Sequence, residues 1–263
     1  MKTEDFDPEK NADSGEENES GESKTQIRAR ADPFGDGPAA RNETRSQHDD
    51  RPSANSVEVP PEGGLEHFGD EAWLRLLAFA GLLEEEGEKR GLIGPRELER
   101  LWERHILNST VLDEFIPNKA SVADVGSGAG FPGIVLAIQR PDCNVVLVES
   151  MERRVEWLQF VTAELALDNV RVKACRAEDL HGKQTYDIVT ARAVAALKKL
   201  TRITLPLVKP GGSLLALKGK KAEQEIREAI PQLKKEGAAW ADIYDRKPFG
   251  TQEVTRILEV AKK

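Results

Sequence analysis

The feature that most constrains this sequence is a glycine-rich stretch between an apolar run and a helical pattern. The run Ser121–Val125 is apolar in its interior except for Asp124, and it predicts a short buried strand. Glycines follow at alternate positions, at Gly126, Gly128 and Gly130. A glycine-rich turn from a strand to a helix lets the backbone approach a ligand closely and directs free N–H groups at it. The stretch therefore predicts a cofactor site of the nucleotide-binding type.

The spacing of the glycines separates two kinds of cofactor. The dinucleotide fingerprint is Gly-x-Gly-x-x-Gly, and its third glycine would fall at Phe131. The spacing found is Gly-x-Gly-x-Gly with Asp124 two residues before the first glycine, which is typical of enzymes that use S-adenosylmethionine. Glu149 ends the next predicted strand, 19 residues after Gly130, where an acid in a doubly wound sheet accepts hydrogen bonds from ribose hydroxyls. The alternative for Glu149 is a surface acid that caps the next helix.

The negative charge of the chain is concentrated in its first 62 residues. The chain has 46 acidic and 38 basic residues, of which this segment holds 16 and 8, so residues 63–263 hold 30 of each sign. The acidic balance therefore does not argue against a nucleic-acid partner. The segment has only two aromatic residues and no periodicity, and such a segment cannot bury enough apolar surface to fold. We predict a disordered acidic tail over 1–62 and a folded domain over 63–263.

The sequence contains no recognisable signal peptide, transit peptide or membrane span. Its two cysteines, Cys143 and Cys175, lie far apart, which indicates no disulfide framework and fits a reducing cytosol. We find no spacing typical of a metal site and no nucleophile paired with a base. We therefore expect a cytoplasmic protein that binds neither a metal nor a membrane.

Strand and helix patterns alternate from residue 119 onward, which predicts a parallel sheet built from βαβ units. Helices at 72–86 and from Pro95 to Ile106 precede it and predict a helical cap over 63–118. The last two strands, at 238–244 and 253–260, form an antiparallel pair, which is typical of the seven-stranded methyltransferase sheet. The other predicted strands are 121–125, 144–149, 170–174, 186–190 and 212–217, and the other predicted helices are 132–140, 151–166, 193–206 and 222–235.

Residues at the carboxyl ends of the predicted strands are the candidates for ligand contacts. Ala177 and Glu178 follow the third strand, where an adenine edge would lie, and the alternative is an ordinary acidic helix start. Arg192 follows the fourth strand with donors suited to a carboxylate or a phosphate, and Lys218 ends the fifth strand at the same edge. Both are alternatively solvated surface cations. His105 lies on a largely apolar helix face, where a structural role and a ligand contact are equally consistent with the pattern.

Six short motifs occur in a fixed order over about residues 65–263. They are Arg104–Ser109, Asp124–Gly133, Glu149–Ser150, Arg176–Glu178, Ala191–Ala193 and Leu217–Gly219. In this order they resemble the bacterial guanine-N7 methyltransferases of small-subunit ribosomal RNA, the RsmG/GidB type. The chain departs from that family at Gly91–Gly94, where many members have Asn-Leu-Thr, at Asn108, where Asp is common, and at Ala191, where Ser is common.

This resemblance implies a Rossmann-like α/β fold with a seven-stranded sheet, and an enzyme that uses S-adenosylmethionine to methylate N7 of a specific guanine in 16S rRNA. It implies that Gly126 and Phe131 line the cofactor pocket, that Ala177 and Glu178 border the adenine, and that Arg192 reaches the cofactor or the RNA. The expected partner is 16S rRNA or the small ribosomal subunit, and we expect a monomer. The predicted catalytic residues are Arg192 and Lys218, and we expect both to contact the RNA. The predicted cofactor-binding residues are Asp124, Gly126, Gly128, Phe131, Glu149, Ala177, Glu178 and Arg192.

Two other functions remain open from the sequence. An enzyme that uses S-adenosylmethionine on another RNA or on a small molecule would keep the same glycine-rich loop. A nucleotide-binding regulator would keep Gly126–Gly130 but would not need Arg192 or Lys218. Methyl transfer to purified rRNA separates an enzyme from a regulator.

Overall fold

Seven strands of alternating and apolar residues assemble into one mixed sheet in the computed structural model, which describes residues 58–263. The strands are β1 (Ser121–Val125), β2 (Asn144–Glu149), β3 (Val170–Ala174), β4 (Tyr186–Arg192), β5 (Val208–Lys218), β6 (Ala238–Arg246) and β7 (Thr255–Lys262). Their order is β3-β2-β1-β4-β5-β7-β6. The first five strands are parallel, and β7 is antiparallel to both of its neighbours. The predicted Rossmann-like α/β sheet with a terminal antiparallel pair is therefore confirmed.

Helices cover both faces of this sheet. They are α1 (Gly64–Phe68), α2 (Asp70–Glu86), α3 (Asn108–Thr110), α4 (Gly133–Gln139), α5 (Glu152–Glu164), α6 (Leu197–Thr204) and α7 (Ala222–Lys235). One apolar layer joins the sheet to α2, α4 and α5, and a second joins it to α6 and α7. Successive residues of β1 alternate between the layers, since Val122 belongs to the first and Ala123 to the second. Within residues 58–263, no helix has the length and apolar character needed to span a membrane.

The cap differs from the single helix predicted from Pro95 to Ile106. The chain forms a 3₁₀ segment, Pro95–Arg100, followed by a π-helical segment, Leu101–Leu107. The backbone leaves helical geometry at Arg100, where φ is −136°. The carboxylate of Glu58 compensates for the break, because it accepts the backbone N–H groups of Trp102 at 2.8 Å and Glu103 at 3.2 Å. In a continuous helix those amides would bond to carbonyls four residues earlier.

Glu58 lies in the segment that we predict as a tail ending at residue 62. The structure places its carboxylate against the cap, so the folded part of the chain begins before that boundary. Residues 1–57, and with them the rest of the predicted tail, lie outside the described residues.

Several predicted boundaries in the second half of the chain are also wrong. Strand β6 ends at Arg246 rather than at residue 244, and β7 is Thr255–Lys262 rather than 253–260. Strand β4 continues to Arg192, two residues beyond the predicted end, and β5 begins at Val208 rather than at residue 212. Helix α6 begins at Leu197 instead of residue 193, because Ala193 has a φ of 55°, outside the helical region. The segment Ala193–Ala196 is therefore a loop between β4 and α6.

We predict that Glu58→Ala lowers the free energy of unfolding by about 1 kcal/mol, the scale of a lost helix cap. The substitution leaves the two first-turn amides of the π-helical segment without their acceptor. Denaturant unfolding followed by tryptophan fluorescence measures the change, with the exposed Glu62→Ala as the matched control. Identical unfolding curves for Glu58→Ala and the wild type would contradict the capping role.

Candidate functional site

The candidate site lies where the strand order of the sheet reverses. From β1 the chain continues to β2 and β3 on one side, and β4 then begins on the other side of β1. Ligands of doubly wound sheets bind outside the carboxyl ends of the strands at such a point. Asp124 of β1 and Thr190 of β4 are neighbours in register there. The glycine-rich loop that follows β1 and Arg192 at the end of β4 therefore meet at one edge, as the sequence predicts.

The backbone of the glycine-rich loop is left-handed at each of its alternate glycines. The φ angles are 72° at Gly126, 56° at Gly128 and 110° at Gly130. A Cβ on Gly126 would lie 2.9 Å from Cγ2 of Val194, and one on Gly130 would lie 2.8 Å from Cγ1 of Ile134, so neither position tolerates a side chain. A Cβ on Gly128 would meet no atom closer than 3.8 Å. The N–H groups of Gly126, Gly128 and Gly130 are all bonded within the protein, contrary to the free N–H groups that the sequence predicts. The loop thus presents backbone without a side chain at Gly128, where an added side chain would reduce the space beside the loop.

Glu149 holds this loop in place. Its Oε2 accepts the N–H of Gly128 at 3.1 Å, and its Oε1 accepts the N–H groups of Ser150 at 2.7 Å and Met151 at 3.0 Å. The residue is only 5% exposed. A carboxylate has about four acceptor positions. Three of them accept these N–H groups, and the guanidinium of Arg154 lies 3.7 Å from Oε2, so a ligand hydroxyl would share the carboxylate with Arg154. The predicted contact of Glu149 with a ribose stays a prediction, and the structure adds a second role, the support of the loop.

Two buried polar atoms near the loop have no partner among the described residues. They are Oδ1 of Asp124 and Oγ1 of Thr190. The other carboxylate oxygen of Asp124 accepts the N–H of Gly133 at 3.1 Å. Complete burial raises the pKa of Asp124 to about 7. Because buried polar atoms in folded proteins are nearly always hydrogen-bonded, this pair marks a place where a polar group of a ligand would be stabilised.

Arg192 is held by the cap and does not extend into solvent. Its guanidinium donates to Nδ1 of His105 at 2.8 Å and to the carbonyl of Arg104 at 3.2 Å. It lies over the ring of Phe131, 4.8 Å from the centroid, an arrangement that favours a cation. The other ring nitrogen of His105 donates to Glu97 at 2.6 Å. The row Glu97–His105–Arg192 therefore connects the cap to the end of β4.

The electrostatics of this row keep His105 neutral. Burial lowers the pKa of His105 to about 4, and the charge of Arg192 lowers it as well. We assign the proton to Nε2 because Nδ1 accepts from Arg192 and Nε2 faces the Glu97 carboxylate. Both ring nitrogens are thus engaged. Phe131 is 3% exposed beneath Arg192, so it supports the guanidinium in addition to its predicted place beside the cofactor.

Lys218 lies at the same edge as Arg192 but on the opposite face of the sheet. Arg192 pairs in register with Leu217, so the next residue of β5 points the other way, toward α6 and α7. The Lys218 ammonium donates to the carbonyl of Ala195 at 2.9 Å and to Glu225 at 2.8 Å, and its side chain is 10% exposed. This geometry does not favour the predicted catalytic or RNA contact of Lys218, because the ammonium is engaged inside the protein.

Ala177 and Glu178 begin a short 3₁₀ segment, Ala177–Leu180, directly after β3. Ala177 is buried and Glu178 is exposed, and their predicted contact with an adenine stays a prediction. Sequence reasoning missed Trp157, whose indole N–H donates to the carbonyl of Ala129 inside the glycine-rich loop at 3.0 Å. It also missed Glu97. Neither residue belongs to a spaced motif, so only the folded chain reveals its role.

Comparison with known proteins agrees with this geometry. A family model described as GidB, rRNA small subunit methyltransferase G, matches residues 74–244. A ribosomal RNA small subunit methyltransferase G of Beutenbergia cavernae is 49% identical over 207 residues, which cover 79% of this chain and 97% of the relative. The protein of the same name from Thermobifida fusca is 51% identical over 70% of this chain and 78% of its own length. The protein of the same name from Clavibacter sepedonicus is 44% identical over 79% of this chain and 97% of its own length.

We predict that Asp124→Asn changes the pH dependence of stability. The folded-state pKa of Asp124 is raised from its ordinary value of about 4 to about 7. The folded wild type therefore holds a proton that the unfolded chain releases, and its stability relative to Asp124→Asn falls as the pH rises from about 4 to about 7. The asparagine keeps an oxygen for the Gly133 N–H. Unfolding free energies measured across this pH range test the effect, and parallel curves for the two proteins would refute it.

Proposed function

The chain belongs to the rRNA small subunit methyltransferase G family, and on that premise we propose that it transfers the methyl group of S-adenosylmethionine to N7 of a guanine in 16S rRNA. The observation that carries the proposal is the glycine-rich loop at the switch point, fixed by Glu149 and open over Gly128. Such a loop suits a cofactor that needs close backbone contact.

The residues of the site fit this cofactor. The bare backbone at Gly128 admits close approach, and the Glu149 carboxylate, which also pairs with Arg154, suits a ribose hydroxyl. The unpartnered oxygens of Asp124 and Thr190 suit a polar group such as the amino-acid end of the cofactor, directly or through water. Bound S-adenosylmethionine supplies a methyl group on a positively charged sulfur, from which a nucleophile can displace it.

Methylation of guanine N7 requires no base. The nitrogen has an in-plane lone pair and no proton; the N–C bond forms as the C–S bond breaks, and the positive charge passes to the purine. The neutral His105 has both ring nitrogens engaged and is not available for proton transfer. The task of the protein is therefore alignment of the nucleophile with the methyl group, which is a large part of catalysis when two reactants must meet. Arg192, held by His105 at this edge, is the positioning group that we propose for it.

The partner is 16S rRNA or the small ribosomal subunit in the cytoplasm, bound by the protein as a monomer. RNA affinity comes largely from cations that face phosphates. With Lys218 engaged inside the protein, exposed lysines around the same edge take this role in our proposal. They lie at the start of α6 and immediately before α7, and they are Lys198, Lys199, Lys220 and Lys221.

We predict that Gly128→Val abolishes binding of S-adenosylmethionine. The side chain would occupy the open space over the loop at a φ of 56°. The matched control is Gly211→Val, at a φ of 78° and also in open space, but near the amino end of β5. Calorimetric titration should show wild-type affinity for the control and none for Gly128→Val. Equal affinities would refute this cofactor site, and a wild type that binds NAD but not S-adenosylmethionine would refute the proposed function.

We predict that the wild type methylates unmodified 16S rRNA or small subunits at a single guanine N7. Arg192→Ala should lower kcat by about a hundredfold, the scale of a misaligned reactant. The control is Arg171→Ala, an exposed arginine on the edge strand β3. Transfer of a labelled methyl group gives the rate, and chain cleavage at N7-methylguanine gives the position. Methylation of a different RNA instead would retain the enzyme class and reject the substrate.

A further inference from the structure

The loop between β4 and α6, Ala193–Ala196, lies against the first glycine of the glycine-rich loop. Val194 leans over the first glycine of the loop, since a Cβ on Gly126 would lie 2.9 Å from its Cγ2. Three of its four residues, Ala193, Val194 and Ala196, are exposed, and Ala195 alone packs against the second apolar layer. Its first residue is an alanine at a φ of 55°, a left-handed conformation that L-residues other than glycine disfavour. Something outside the loop must therefore maintain its course.

Lys218 and Glu225 hold this loop from behind. The Lys218 ammonium donates to the carbonyl of Ala195 at 2.9 Å and to Oε2 of Glu225 at 2.8 Å. The same Oε2 accepts the N–H of Leu197, the first residue of α6, at 2.7 Å. The Lys218–Glu225 ion pair thus contacts the loop at two points, the carbonyl of Ala195 and the amide of Leu197, which directly follows the loop. The Lys218 side chain is 10% exposed and that of Glu225 is 24% exposed, so solvent weakens these bonds little.

We propose that Lys218 and Glu225 are positioning residues that hold the loop against Gly126 and thereby set the affinity for the cofactor. This inference rests on the proposed function for the identity of the cofactor. The pair itself lies on the α6 and α7 side of the sheet and contacts the loop at the Ala195 carbonyl and the Leu197 amide. Under this proposal Lys218 supports the loop instead of making the RNA contact that the sequence suggests. It lies at the same edge of the sheet as Arg192 but on the opposite face.

Two measurements on the full chain test the proposal. The first is the affinity for S-adenosylmethionine by calorimetry, which needs no RNA. The second is hydrogen exchange over residues 193–197 without the cofactor, where the Leu197 amide reports its bond to Glu225. The variants are Lys218→Met and the milder Glu225→Gln, which keeps an oxygen for Leu197. The control is Lys209→Met, which removes a more exposed ion pair of the same 2.8 Å length with Asp187, near the opposite end of β4 and β5.

We expect Lys218→Met to weaken cofactor binding by about tenfold, the scale of one lost charge-assisted hydrogen bond, and to accelerate exchange of the Leu197 amide. Glu225→Gln should do the same to a smaller extent. Lys218→Arg should restore most of the affinity, because a guanidinium can bond to both partners. In steady-state methylation, the KM for the cofactor should rise while the KM for RNA stays unchanged.

Three results would overturn the proposal. Unchanged affinity in Lys218→Met, with or without faster exchange, would show that the pair does not act on the pocket. An equal loss of affinity in Lys209→Met would show a general effect of destabilisation. A rise in the KM for RNA alone would return Lys218 to the RNA contact. Failure of the wild type to bind S-adenosylmethionine would refute the proposed function together with this inference. The titration of the wild type alone separates that failure from a failure of this inference.

Discussion

The glycine-rich loop after β1 has few side chains that could hold its shape, and the N–H groups of Gly126, Gly128 and Gly130 are all bonded within the protein. The site therefore depends on how neighbouring elements hold this loop in place. The Glu149 carboxylate accepts the N–H of Gly128 and the N–H groups of Ser150 and Met151, which directly follow β2. The indole N–H of Trp157 donates to the Ala129 carbonyl. On the other side, Val194 covers Gly126. The loop after β1 is thus fixed from β2, α5 and the segment after β4, which are the elements that surround the switch point.

The fold was accessible from the sequence because its signals are local and repeated. Each strand of the parallel sheet is a short apolar run between turn residues, and the bounds of β1, β2 and β3 agree with prediction. The cap was less accessible. The Glu58 carboxylate accepts the N–H groups of Trp102 and Glu103, which lie 44 and 45 residues later in the sequence. The periodic pattern of the cap contains no signal that its helix is broken at this point.

The site was predictable as a set of strand ends but not as an arrangement. Alternate residues of a strand face opposite sides of the sheet, so the face on which a residue lies depends on its position in the strand. The predicted β4 ends at residue 190, two residues before Arg192, and therefore does not include Arg192 in the strand. Without the register of Arg192 with Leu217, nothing places Lys218 on the opposite face. The partners of Arg192 were similarly hidden, because His105 lies 87 residues away. Residue types therefore indicated the kind of chemistry, and only the register of the strands assigned the individual tasks.

The contacts of Arg192 with His105 and with the Arg104 carbonyl join the cap to the strand that ends at the cofactor pocket. Two binding events that bias the same side chain are thermodynamically coupled, and the coupling is reciprocal. If an RNA contact shifts the cap and with it the guanidinium, the affinity for the cofactor changes by some factor, and a bound cofactor changes the affinity for RNA by that same factor. Through this one arginine, the affinities for the cofactor and for the RNA would depend on the cap as well as on the end of β4.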